Sequence, residues 1–190
     1  EKSSTTSDEE RSCEMILNAL TEEEANGLVD KNMLRRHLRA EKGNVESATV
    51  KIKATLAWRK EFDVETIIKC ASGCPKTLSK IAFENGTGKT YVRGYDRKSR
   101  AILYLRPGVE NSTDVDWNLR HLVYNIERAI ACTQKKSQGQ VEKINIVLDF
   151  YKFRLRSAPS LSTSKATLDI LQNHYPERLN RAYICNPPRV

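Results

Sequence analysis

Lys143-Ile144-Asn145-Ile146-Val147-Leu148-Asp149-Phe150 is a short, almost unbroken apolar run. A strand of that composition suits a parallel sheet, which is covered on both faces. The segments on either side alternate in period. Residues 114 to about 136 place Leu119, Leu122, Val123, Ile126 and Ile130 at helical three-to-four spacing. Before them, residues 90–95 and 101–106 read as two strands, joined by Asp96-Arg97-Lys98-Ser99 as a turn. After the apolar run, residues 159–175 read as a helix with Leu161, Leu168, Leu171 and Tyr175 along one side, and residues 181–186 as a last strand. That order of elements predicts an α/β fold with a mostly parallel sheet and crossover helices.

No strand signal precedes residue 87. Residues 9–20 read as a short helix, and a second opens near Thr21 or Asp30. Asn44 is a good N-cap before Val45, Ala48, Ile52, Leu56 and Arg59, whose spacing sets an apolar stripe on one face. Asp63 is expected to cap a short helical turn through Ile67 and Ile68, and Pro75 to start a helix running to Ile81 and Phe83. The expected organisation is a leader and first helix over 1–29, a helical N-terminal cap over 30–83 and an α/β domain over 84–190.

Composition is that of a globular chain, with 39% hydrophobic and 29% charged residues among 190. No apolar run approaches the ~18 residues that a spanning helix needs. Apart from Lys2, the first ten residues are Ser, Thr and acidic side chains, which is neither a signal peptide nor an anchor; the chain is expected to come from something longer. The net charge of +8 is uneven, since residues 1–70 carry 12 basic against 14 acidic residues and residues 71–190 carry 20 against 10. A basic second half suits nucleic acid or an anionic membrane surface.

Candidate chemistry fails at each place where it is sought. Gly86-Thr87-Gly88-Lys89-Thr90 has the end of a phosphate loop, but the position of that motif's first glycine falls on Phe83, and a strand follows where a helix should begin. No nucleophile elbow is present. Asp149, at the end of a buried strand, either serves a site or pairs with a basic neighbour; no second carboxylate or histidine completes a site around it. The five cysteines (Cys13, Cys70, Cys74, Cys132, Cys185) and three histidines (His37, His121, His174) are scattered, so no metal site is expected and the thiols read as reduced. The Asn85 and Asn111 N-x-T triplets would matter only in a secreted chain. Tyr151-Lys152-Phe153-Arg154-Leu155-Arg156 alternates aromatic or apolar with basic residues, as a stacking ribbon, a membrane-pressing loop or a solvated edge would. No nucleic-acid-binding signature accompanies it, and no nucleic-acid partner is expected.

Several stretches together resemble the CRAL-TRIO lipid-binding family. Leu34-Arg35-Arg36-His37-Leu38-Arg39-Ala40-Glu41-Lys42 and Leu56-Ala57-Trp58-Arg59-Lys60-Glu61-Phe62 are similar to its N-terminal cap. Gly94-Tyr95-Asp96 and Ser99-Arg100-Ala101-Ile102-Leu103-Tyr104 are similar to its first hairpin, and Leu122-Val123-Tyr124 with Glu127 to its long helix. Leu171-Gln172-Asn173-His174-Tyr175-Pro176-Glu177-Arg178-Leu179, running into Tyr183-Ile184-Cys185-Asn186-Pro187-Pro188, resembles its most recognisable signature. Within the family the chain most resembles fungal and plant phosphatidylinositol transfer proteins.

The resemblance implies a non-catalytic protein with a sheet-floored pocket for one lipid's acyl chains, exchanged at membranes. It implies no cofactor beyond a bound phospholipid or other hydrophobic ligand. Phosphatidylinositol or a similar lipid is the expected partner, with transient contact at an anionic membrane surface from the cytoplasm. Pocket positions are expected at Val92, Leu103, Leu105, Ile144, Ile146, Leu148 and Leu171, and headgroup contacts at Lys42, Glu177 and Arg178. Lys42 would bring charge to the phosphate, and Glu177 would accept from inositol hydroxyls or orient a neighbouring base. The alternative for Glu177 and Arg178 is a structural ion pair at a helix end. At Glu41 the chain departs from the family's usual basic residue.

Positions where phosphatidylcholine-exchanging members carry Tyr, Ser or Thr read here Val92, Leu103, Ile144, Ile146 and Leu171. Phosphatidylcholine is therefore expected to bind poorly, and a second ligand to be more apolar, such as a sterol. The family continues past Asn-x-Pro into a further helix, strand and gate helix, so the chain, ending at Val190, is expected to be C-terminally incomplete. Besides lipid transfer, a lipid-sensing regulatory module of a larger protein fits these features. An α/β hydrolase or nucleotide enzyme does not, for want of an assembled site.

Overall fold

In the computed structural model, residues 2–25, 27–154 and 160–188 are described, with the side chains of 7–25, 27–154, 160 and 162–188. Leu155 and Arg156 of the aromatic–basic segment and Pro159 of the last expected helix fall outside the described residues. The chain forms two compact units, Glu1–Phe62 with Asp169–Glu177, and Asp63–Leu168 with Arg178–Val190.

In the first unit, α1 (Lys2–Asn18), α2 (Glu22–Ala25), α3 (Lys31–Ala40) and α4 (Val45–Glu61) are joined by short connections. Three of these helix starts are written in local side chains. Thr21 and Glu24 close a reciprocal capping box, the Thr21 N–H on the Glu24 carboxylate at 2.8 Å and the Glu24 N–H on the Thr21 hydroxyl at 3.1 Å. Asp30 caps α3 through the Met33 N–H at 2.6 Å, and Asn44 caps α4 through the Ser47 N–H at 2.9 Å. The apolar stripe of α4 goes inward: Ala48, Ile52 and Leu56 join Ile16 of α1 and Leu34 and Leu38 of α3 in one core. Arg39 grips Glu9 with two hydrogen bonds, from Nε at 2.5 Å and Nη2 at 2.9 Å, and so ties α3 to α1. Helix α1 begins at Lys2, ahead of the start at residue 9 that the sequence suggests.

The second unit opens with α5 (Val64–Ile68), α6 (Cys70–Gly73) and α7 (Pro75–Asn85). Asp63 stands at the start of α5, yet its side chain makes no capping bond; its backbone is left-handed, with φ 56°. The reading of Asp63 as a side-chain cap is thus corrected, because a capping residue takes an extended backbone, from which its side chain can turn back onto the helix, and Asp63 does not.

The sheet follows: β1 (Thr90–Tyr95), β2 (Ala101–Leu105), β3 (Ile144–Asp149) and β4 (Leu179–Cys185), ordered 1-2-3-4. Strands β1 and β2 are antiparallel, and β3 runs parallel to both β2 and β4. Helix α8 (Val115–Ser137) connects β2 to β3 and packs on β1, β2 and β3, burying Leu122, Val123, Ile126 and Ile130. Helix α9 (Leu161–His174) connects β3 to β4. The β1–β2 register shifts between Val92 and Tyr95, where Gly94 at φ 73° supplies the bulge. The architecture is the expected α/β one, helices first and then a mostly parallel four-stranded sheet with crossover helices.

Beyond β2 the chain makes a 3-10 turn, Pro107–Val109, against the turn that follows β3. A Cβ on Gly108 would lie 2.1 Å from the Tyr151 carbonyl oxygen and 2.6 Å from the Phe153 nitrogen. Both are backbone atoms and cannot swing aside. Gly108→Ala is therefore expected to cost about 3 kcal/mol, at the upper end of overpacking penalties, and to lower the melting temperature. Gly139→Ala meets no neighbour within 4 Å and serves as comparison, its cost coming only from φ 80°. Equal melting of the Gly108 variant and wild type would contradict the close backbone approach.

Candidate functional site

Strand register decides which side chains share a face. Val92 pairs with Leu103 and Leu103 with Ile146, while Leu105 pairs with Leu148. Since side chains alternate with a period of two, Ile144 shares the face of Ile146 and Leu148. The six sheet residues expected to line a pocket thus form one apolar face of the sheet. Leu103, Ile144 and Ile146 are buried, and Val92, Leu105 and Leu148 half-buried. Leu171, the seventh, belongs to α9 and to the other compact unit, and is half-buried.

The opposite face is more polar. Asn145, 2% exposed, donates to Asp96 at 2.9 Å and accepts from Asn180 at 2.8 Å, which links the β1–β2 turn, β3 and β4. Burial raises the Asp96 pKa, but hydrogen bonds from the Arg100 N–H, Asn145, the Lys98 N–H and the Arg100 guanidinium outweigh it, bringing the group to about 2. The near-continuous apolar lettering of 143–150 hides this chain of side chains. An Asn inside an apolar strand was its only visible sign.

At the carboxyl end of β3, Asp149 accepts from Asn186 at 2.8 Å and from the Tyr151 N–H at 3.0 Å, and faces Arg106 at 3.8 Å. These partners lower its pKa, the Asn186 bond most. Its role is to join the ends of β2, β3 and β4. Tyr151 and Lys152 form a turn, with Lys152 at φ 62° and its ammonium 5.5 Å from the centroid of the exposed Tyr151 ring.

The Gly-Thr-Gly-Lys stretch resolves as structure. Lys89 is 3% exposed, and its ammonium bonds both Glu84 of α7 and Glu110 of the β2–α8 connection. Glu110 also accepts from Asn118 at 2.8 Å and from the N–H groups of Asn111 and Ser112. Beside this cluster His121 meets Asn85 at 2.8 Å. A lysine so engaged has no ammonium to give a phosphate.

The expected headgroup residues are distributed as follows. Lys42 follows α3 with φ 55° and is exposed; Glu177 follows Pro176 with φ 58° and is exposed. Both belong to the first unit. Arg178 belongs to the second, where it bonds the Glu142 carbonyl at 3.0 Å and faces the Glu142 carboxylate at 3.5 Å. Two histidines far apart in sequence meet at one hydroxyl: Thr55 Oγ1 lies 3.4 Å from His37 Nε2 and 3.3 Å from His174 Nδ1. Nothing local in the sequence signals that junction. Among the described residues no three His, Cys, Asp or Glu gather to hold a metal, and no helix is long and apolar enough to cross a membrane.

Comparison with known proteins settles the family. The model of the CRAL/TRIO domain matches residues 85–190. The chain belongs to the CRAL-TRIO family. A CRAL-TRIO domain-containing protein of Schizosaccharomyces pombe is 37% identical over 80% of this chain, which spans 14% of that protein. The phosphatidylinositol transfer protein PDR17 of Saccharomyces cerevisiae is 34% identical over 80% of this chain and 43% of its own length. The SEC14 cytosolic factor of Kluyveromyces lactis is 30% identical, with 84% and 55% covered. The chain thus spans from a seventh to about half the length of these relatives. The crystal structure of Sfh5 superposes with a TM-score of 0.62 at 16% identity, covering 84% of this chain and 59% of that one, and shows the same fold. Among these relatives PDR17 carries the name of a phosphatidylinositol transfer protein.

Two predictions follow from these buried groups. Removing the ammonium in Lys89→Met leaves Glu84, 1% exposed, without its partner, and is expected to cost about 3–5 kcal/mol by denaturant unfolding. A loss below about 1 kcal/mol would mean a solvated pair.

Burial lowers the pKa of His121 to about 4, with help from Lys89, and that of His174 to about 4, with help from His37 and Lys51. Both stay neutral when folded and take up a proton on unfolding below the ordinary value near 6.5. Stability should therefore fall as pH drops from about 6.5 toward 4, by on the order of 2 kcal/mol for His121. His121→Gln, which keeps a donor for Asn85, should flatten that slope in pH-dependent urea unfolding. An unchanged slope in the variant would refute the assignment.

Proposed function

We propose that the protein binds phosphatidylinositol-type lipid and transfers or presents it at membrane surfaces. The observation that carries this is the apolar sheet face, Val92, Leu103, Leu105, Ile144, Ile146 and Leu148 in register, in a chain of the CRAL-TRIO family. In this reading that face receives acyl chains, each buried CH₂ contributing ~0.8 kcal/mol. Lys42 supplies charge to the phosphate, and Glu177 and Arg178 act at the inositol headgroup. The protein works from the cytoplasm, touching an anionic membrane surface transiently through its basic half.

The sheet face offers no hydroxyl among those six residues. A phosphatidylcholine headgroup placed there would leave its phosphate oxygens unpaired, at ~1–3 kcal/mol each. Phosphatidylcholine is accordingly a poor ligand in this proposal, and an exchange ligand is more apolar, such as a sterol. A lipid-sensing role within a larger protein is the second reading. It is favoured by the fission-yeast relative, of which this chain spans only 14%.

Transfer assays with labelled phosphatidylinositol and phosphatidylcholine test the ligand, and equal rates would refute the selectivity. Lys42→Ala and Glu177→Ala should each weaken phosphatidylinositol binding about ten- to a hundredfold, the loss of one charge-assisted hydrogen bond, with the melting temperature retained. A Glu177→Ala protein that melts early but keeps its lipid preference would leave that residue a structural role only.

A further inference from the structure

Three residues on one side of α4, Lys51, Thr55 and Trp58, all engage the segment that ends two residues before Glu177. The Lys51 ammonium donates to the Asn173 side-chain oxygen at 3.2 Å. The Thr55 hydroxyl donates to the Asn173 carbonyl at 3.2 Å and lies 3.3 Å from His174 Nδ1. The Trp58 ring stacks on His174, centroids 4.1 Å apart and planes within 6°, and meets Tyr175 edge-on at 6.1 Å. Spacing of four and three places these side chains in one row along the helix. Behind Thr55 stands His37, whose Nδ1–H donates to the Met33 carbonyl at 3.0 Å, so the row is backed by α3.

The segment so held has little freedom left. Tyr175 is 7% exposed, Pro176 fixes its own φ, and Glu177 takes the left-handed conformation, φ 58°. A non-glycine residue pays for that conformation, and it persists only where its surroundings impose it. The backbone from which the Glu177 side chain leaves thus follows on from residues 173–175, which α4 holds.

We infer that Thr55 and Trp58, with Lys51, are positioning residues for Glu177 and thereby set the preference for an inositol headgroup. This rests on the proposed role of Glu177. The positioning residues touch no lipid; they act by holding the turn from which Glu177 projects. Trp58 suits the task because a flat ring on the flat imidazole of His174 restricts tilt, which an aliphatic contact would not.

The test compares two probes with the same acyl chains, a fluorescent phosphatidylinositol and the corresponding diacylglycerol, which lacks the headgroup. Thr55→Val and Trp58→Leu are expected to weaken phosphatidylinositol binding several-fold while leaving diacylglycerol binding unchanged. Trp58→Phe, which keeps an aromatic face, should restore most of the loss. Combined with Glu177→Ala, neither change should lower affinity further, because both act through the same carboxylate. Equal losses for both probes, or losses that add in full to that of Glu177→Ala, overturn the inference in favour of general loosening. A damaging Glu177→Ala beside silent Thr55→Val and Trp58→Leu overturns it alone. A silent Glu177→Ala overturns the headgroup reading and this inference with it.

Discussion

Strand β3 runs parallel to both of its neighbours, and much of the second unit follows from that. Parallel strands cannot be joined by a tight turn, because the chain must return to the end at which the previous strand began. Each pairing of β3 therefore demands a long connection, and α8 and α9 provide them. Pairing is also intolerant of error, since a slip of one residue would exchange Ile146 for Asn145 on the apolar face. Asn145 itself guards against the slip. Its amide is held by Asp96 on one side and Asn180 on the other, and moving it would strand a buried amide among apolar side chains.

The Lys89 cluster works by the same logic with full charges. An ammonium buried alone would be untenable, and here two carboxylates share it; on Glu110 two backbone N–H groups bond the same oxygen as Lys89, and Asn118 bonds the other. Contacts from α7 and the β2–α8 connection converge on one nitrogen just before β1. That convergence explains why a stretch with the lettering of a phosphate loop carries none of its chemistry. A phosphate loop turns its N–H groups and lysine outward before a helix, whereas this one turns the lysine inward before a strand.

Elements with a local cause were legible in the sequence. The four strands, α8, the Asn44 cap and the Pro75 start all rest on period or on a side chain within three residues of the boundary. What escaped depends on distant residues. Helix α1 extends toward the N-terminus and is tied down by Glu9 on Arg39, 30 residues away. Asp63 carried the right residue type for a cap, but a left-handed backbone removed its function. The partner Glu110 lies 21 residues beyond Lys89, and the Thr55 contact with His174 spans 119. Periodicity has no access to such pairs. The family resemblance covers both the segment that contains His174 and the stretch that contains Trp58, but not the contact between them.

Selectivity is the part of the proposed function that a sheet face cannot supply. Burying acyl chains against Leu103 and Ile146 releases the same free energy whatever headgroup they carry, so the face confers affinity without choice. Choice must come from polar groups, and their situations differ. Arg178 already bonds Glu142 through both a carbonyl and a carboxylate, so a headgroup recruiting it must compete with a neutralised partner. Lys42 and Glu177 are exposed and project from left-handed backbone, where direction is set by the chain before them rather than by a side-chain rotamer alone. A long, flexible Lys or Glu side chain gives up roughly 2 kcal/mol of rotamer freedom when it is fixed. Backbone that already points the group lowers that cost only if the backbone is itself rigid. In the proposed reading the rigidity at Glu177 comes from Trp58 and Thr55, so the discriminating power of one carboxylate is stored in a helix that does not itself touch the lipid.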